Sequence, residues 1–84
     1  MFTVVWSDEA FDDMGRIVWA NPDRKAELAA ALRELTDRLS RDPGGTGESR
    51  WGDLRVMFPG PLAVYFRVAD EGQAVEVAQV RLVR

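Results

Sequence analysis

Apolar positions along this chain change their spacing at a few definite points, and each change marks an element. Residues 2–6 read FTVVW, a β-branched and aromatic run that predicts a short strand. The spacing then shifts to three and four, through Ala10, Phe11, Met14, Ile17 and Val18. That period predicts a helix of about three turns. Ser7 stands before it as a capping residue, with Asp8 and Glu9 in the first turn, where the helix dipole favours carboxylates. Asn21-Pro22 predicts a restart, with Asn21 as the cap and Pro22 at the first helical position of a second helix to about Arg41. Leu28, Leu32, Leu35 and Leu39 form one stripe of it, with Arg33, Glu34, Asp37 and Arg38 off the stripe. Such a face is expected to pack on a sheet. Asp42-Pro43-Gly44-Gly45 stops the helix and opens a connector to about Glu48.

Beyond the connector the period is two. Residues 50–58, 62–68 and 74–83 are predicted as strands, with Asp70-Glu71-Gly72 as a turn. The order β-α-α-β-β-β predicts an α+β fold. It is a two-layer sandwich in which two helices cover one face of a mainly antiparallel sheet. At this length residues 1–84 are expected to form a single domain.

Alternation also assigns faces. Leu62, Val64, Phe66 and Val68 point to the helices, so Ala63, Tyr65 and Arg67 point away. The same reasoning turns Leu54, Val56 and Phe58 inward and puts Arg55 and Met57 outside with Trp51. In the last strand Val75 and Val77 have one parity and Val80 and Leu82 the other. A bulge near Ala78-Gln79 would reconcile them and bring Arg81 to the outer face, with Arg50 and Arg84 at its ends.

Composition narrows what such a face can do. The chain has no histidine and no cysteine, which removes thiolate chemistry, cysteine-based metal sites and the commonest general base. No cofactor motif is present. The net charge is −3, divided as −4 over residues 1–48 and +1 over residues 49–84. That balance argues against a general nucleic-acid binder and leaves room for a local arginine cluster. The N-terminal residues show no secretory pattern, and no apolar run approaches the ~20 residues of a membrane span, so a soluble, cytoplasmic protein is expected. Asp8, Glu9, Asp12 and Asp13 read as the solvated start of a helix rather than as a cation site. Gly44-Gly45-Thr46-Gly47 follows a helix instead of preceding one, so it reads as a connector rather than a phosphate cradle. Arginines beside an aromatic on an open sheet can hold phosphate and stack a base, or simply decorate a solvated face opposite acidic neighbours.

The stretch VVWSDEAFDDM, the helical pair and then DPGGTGESRWGDLRVMFPGPLAVYFRVADEGQAVEVAQV together resemble the RelE/ParE superfamily of bacterial toxin–antitoxin systems. The hairpin signature falls on Arg55, Leu62, Val64, Phe66, Val68 and Asp70. The resemblance covers nearly the whole chain and implies a toxin held inactive by a cognate antitoxin. An antitoxin helix is expected on the exposed sheet or on the helical pair. One branch of the superfamily cuts mRNA on the ribosome and another inhibits DNA gyrase, so ribosome-bound mRNA and gyrase are the implied targets. In the cutting branch a 2′-hydroxyl attacks the adjacent phosphate, which needs a base, an acid and positive charge on the phosphorane. Carried over, the catalytic candidates are Arg55, Tyr65, Arg67 and Arg81, with Arg50, Trp51 and Arg84 as phosphate or RNA contacts. Met57 and Ala63 stand where the nucleases carry basic side chains, which leaves the catalytic set incomplete. A non-catalytic binding toxin and an antitoxin-binding module are the alternatives.

Overall fold

A computed structural model describes residues 2–69 and 73–84, and of Arg50 and Trp51 it describes the backbone alone. The expected turn at Asp70-Glu71-Gly72 lies outside the described residues. The chain runs β1 (Thr3–Trp6), α1 (Asp8–Ala20), a 3-10 turn (Pro22–Arg24), α2 (Lys25–Arg41), β2 (Glu48–Trp51), β3 (Leu54–Met57), β4 (Leu62–Ala69) and β5 (Ala74–Leu82). The five strands form one sheet in the order β1-β5-β4-β3-β2. β1 lies parallel to β5 and the other neighbours are antiparallel. This is the expected two-layer α+β class, with one more strand. The run expected as a single strand over residues 50–58 is split, because Gly52 takes a positive φ of 54° and turns the chain between β2 and β3.

The leucine stripe behaves as its period requires. Leu28, Leu35 and Leu39 are fully buried beneath α2, and Leu32 packs at the rim. They meet Val64, Phe66, Val75 and Val77 from the centre of the sheet, with Ala10 and Met14 from α1. Ser7 caps α1 as expected, its Oγ accepting from the Ala10 N–H at 3.0 Å. Asn21 does not cap the second helix. Its side-chain amide donates to the Ile17 carbonyl at 2.8 Å and its backbone N–H to Val18, so it closes α1 instead. A short 3-10 turn then leads into α2.

Arg24 forks onto the Glu27 carboxylate at 2.8 and 3.1 Å at the start of α2. The fork holds the Glu27 carboxyl below its ordinary range. A carboxyl depressed on folding stabilises above its unfolded pKa, and the contribution fades as pH falls through the folded value. Glu27→Gln is therefore expected to lower the melting temperature slightly at neutral pH and to leave it unchanged in acid, as a thermal scan at both pH values would show.

The loop between β3 and β4 is packed rather than free. Pro59 and Pro61 are fully buried, and Gly60 has a positive φ of 54° with the Ala31 Cβ only 3.3 Å from where its own Cβ would stand. The loop is thereby held under α2, and that contact helps set how β3 meets β4.

Candidate functional site

Directly opposed residues of an antiparallel pair share a face. Across β4 and β5 the pairs Val64↔Val80, Leu62↔Leu82 and Phe66↔Val77 face the helices, and Ala63↔Arg81, Tyr65↔Gln79 and Arg67↔Glu76 face away. The register shifts between Tyr65 and Phe66, leaving Ala78 as the extra residue of a bulge. This is the irregularity that the parity conflict between Val77 and Val80 required.

What holds the bulge was not foreseen. The Ser7 hydroxyl donates to the Ala78 carbonyl at 3.1 Å while it caps α1. The Asp13 carboxylate accepts from the Val80 N–H at 3.1 Å, and Gln79 Nε2 donates to Glu9 at 2.7 Å. Two of the four clustered carboxylates therefore grip β5 beyond the point where β1 ends, instead of facing solvent alone. The signal was available: a capping residue, carboxylates one turn apart, and a strand that changes parity. Asp13→Ala would leave the Val80 N–H without a partner on a buried residue and is expected to cost about 1 kcal/mol. Asp13→Asn keeps an acceptor and should cost less in the same thermal melts.

Tyr65 and Arg67 come together as expected. They line one groove of about 390 Å³ on the outer face, with Ser7, Glu9, Leu54, Glu76 and Gln79. The electrostatics of that groove differ from an anion site. Arg67 Nε lies 3.4 Å from Asp53 and Nη1 3.5 Å from Glu76. Two carboxylates therefore pair with this guanidinium, and Glu9, bonded to Gln79, lines the same groove. Arg67 is the acid-paired cross-strand neighbour that a solvated face would carry, and such exposed pairs add little stability.

The other candidates do not join this groove. Arg81 is exposed on β5, on the outer face as expected, but lines a separate recess of about 360 Å³ with Asp13, Arg16 and Asn21. Arg84 is exposed past the end of β5. Arg50 and Trp51 belong to β2, and their side chains lie outside the described part.

Arg55 is on the other face. It pairs with Phe66, and Met57 pairs with Val64, so both turn toward the helices, while Leu54 and Val56 share the outer face with Arg67 and Tyr65. Met57 is accordingly core, 2% exposed, and Phe58 is out in solvent. The expected parity of this strand is inverted throughout. Its cause is the register: every even-numbered residue of β4 opposes an odd-numbered residue of β3, and an offset of one flips a whole strand. The Arg55 guanidinium donates to the Thr46 carbonyl at 3.2 Å and to the Gly44 carbonyl at 3.1 Å. It clamps the connector after α2. Among the described residues no group of carboxylates is arranged to hold a metal ion.

No protein-family model and no curated protein matches the chain. Solved structures do. A chain of the chromosomal ParDE toxin–antitoxin system of P. aeruginosa superposes with a TM-score of 0.81 at 16% identity, covering 100% of this chain and 98% of that one. A chain of the toxin–antitoxin complex RelBE2 of Mycobacterium tuberculosis gives 0.77 at 25% identity, covering 96% and 90%. The chain has the RelE/ParE toxin fold. Within that fold the outer face of this RelE/ParE-like sheet carries Tyr65, a neutralised Arg67 and Arg81, and Arg55 has become a loop clamp.

Proposed function

We infer that this chain is the toxin of a type II toxin–antitoxin pair, held in check by a cognate antitoxin, and that it acts by binding its target rather than by cutting RNA. The nearly end-to-end likeness to chains of two toxin–antitoxin systems supports the first half. The second half rests on one observation, the pairing of Arg67 with Asp53 and Glu76 in a groove that Glu9 also lines. An RNA phosphate entering that groove meets net negative charge, and no histidine is present anywhere in the chain to take a 2′ proton. The expected site of action is the cytoplasm. No helix of the described residues is long and apolar enough to cross a membrane.

Induction in a bacterial host is expected to arrest growth, and co-expression of the adjacent reading frame to relieve the arrest. Transcript 5′ ends should stay unchanged during the arrest, with gyrase supercoiling as the first target to assay. Unimpaired growth would remove the toxin reading. New 5′ ends within translated codons would instead favour the cleaving alternative, with Tyr65, Arg67 and Arg81 as the catalytic candidates left on the outer face and Arg50, Trp51 and Arg84 as RNA contacts. The sharing of one groove by Tyr65 and Arg67 is what speaks for that alternative, and it requires that Tyr65→Phe abolish the cuts.

A further inference from the structure

The outer face of the sheet is polarised along its strands. Arg81 stands exposed at one end of it, with Arg84 exposed past the end of β5. The opposite end holds Arg67 between Asp53 and Glu76, with Glu9 at the rim of the groove. Glu48 adds a further carboxylate. It opposes Val56, which opposes Tyr65, so it shares their face, and it is exposed. Among the described side chains this end therefore sets Glu9, Glu48, Asp53 and Glu76 against a single guanidinium. These carboxylates do not converge on one point as metal ligands do. They are spread from β5 to β2, three strand spacings or about 14 Å across the sheet. Charge spread in that way suits several cations on one chain better than a single ion.

The groove itself combines two kinds of surface. Leu54 and Tyr65 give it an apolar wall, and Glu9 and Glu76 give it an anionic rim. That combination fits a side chain with a long apolar stem and a cationic head, which is arginine or lysine. The stem lies along Leu54, and the head sits over the Tyr65 ring, whose quadrupole attracts a cation within about 6 Å. The native pairs do not block such a guest. Asp53 and Glu76 are 73% and 52% exposed, and their contacts with Arg67, at 3.4 and 3.5 Å, are long for charge-assisted bonds, so displacing Arg67 costs little. Building on the reading of this chain as a binding toxin, we propose that this end of the outer face docks a basic segment of the target protein, with one arginine or lysine seated between Tyr65 and Glu76.

The probe is a fluorescein-labelled peptide of alternating arginine and alanine, with a glutamate–alanine peptide and a single-stranded RNA of the same length beside it. Anisotropy is read on the full chain at about 0.15 M salt, where long-range attraction is screened. The arginine peptide alone is expected to bind. Glu76→Lys should weaken it at least tenfold and Tyr65→Leu several-fold, and Arg67→Ala should tighten it. Glu34→Lys changes the net charge equally from an exposed position on α2 and should alter binding less than twofold. Both lysine variants should keep the wild-type circular-dichroism melt, because both positions are open to solvent. Equal weakening by Glu76→Lys and Glu34→Lys would trace the effect to overall charge and overturn the proposal. So would failure of the arginine peptide to bind, or RNA binding in its place with Arg67→Ala weakening it. Spermidine displacing the peptide at an equal concentration would assign the groove to a free polyamine and overturn it as well. Growth on induction is a separate readout. Arrest without peptide binding overturns this docking surface and leaves the toxin reading standing, and binding without arrest does the reverse.

Discussion

Arg55→Ala is expected to cost the fold about 2–3 kcal/mol and to lower the melting temperature by roughly 10–20 °C. The guanidinium makes two charge-assisted hydrogen bonds to carbonyls of the connector, at Thr46 and Gly44. Removing it strands the Thr46 carbonyl in a part-buried position and frees the loop that leads from α2 into β2. Arg55→Lys is expected to recover less than half of the loss, because a point ammonium cannot span two carbonyls as the fork does. A thermal melt of the three proteins checks this. The same variants separate the two roles open to this residue. If Arg55 contacted phosphate, Arg55→Ala would remove toxicity with an unchanged melting temperature. As a clamp, it lowers the melting temperature, and any loss of toxicity tracks the unfolded fraction.

Gly47→Ala is expected to be at least as damaging, at about 3 kcal/mol. Two effects add. Gly47 holds a φ of +78°, a left-handed conformation that costs a residue with a Cβ about 1–2 kcal/mol. The new Cβ would also stand 2.5 Å from the Val56 carbonyl oxygen and 3.1 Å from the Phe66 ring. The first of these is backbone of β3, which cannot swing aside as a flexible side chain could, so the sheet must shift, and overpacking of this kind costs roughly 1–3 kcal/mol. Gly44→Ala, in the same connector but with nothing within 4 Å of its Cβ, is the matched control and should melt within a few degrees of the wild type. Urea unfolding of the pair measures the difference directly. Equal midpoints would show that the connector is not packed against β3 in solution.

Both positions belong to a segment that reads as a glycine-rich connector and nothing more. Its glycine content follows from close packing: the chain passes under the Phe66 ring and against β3, and Arg55 reaches back to hold it. A sequence shows that Gly47 is a glycine, and only the packing shows that a side chain has no room there. The bulge is the opposite case. Val75 and Val77 conflict in parity with Val80 and Leu82, and an extra residue between them is the one way to keep all four in the core. That inference needed no coordinates, and Ala78 is the extra residue.

The sequence by itself determined the element types, the two helices with the leucine face of α2, and the outward placing of Tyr65, Arg67 and Arg81. These depend on local periodicity, and local periodicity survives in one dimension. Tertiary structure alone decided the rest. Gly52 divided one expected strand into two. The loop with its buried Pro59 and Pro61 went with a β3–β4 register one residue away from the assumed one, and a side-chain period of two turns that offset into an exchange of faces. By that exchange Met57 entered the core and Arg55 left the candidate site for the connector. The β4–β5 register, independently, set Glu76 opposite Arg67, and Asp53 pairs with the same guanidinium. Faces along one strand follow from its own sequence, but which faces of two strands coincide is set by the connection and the packing between them.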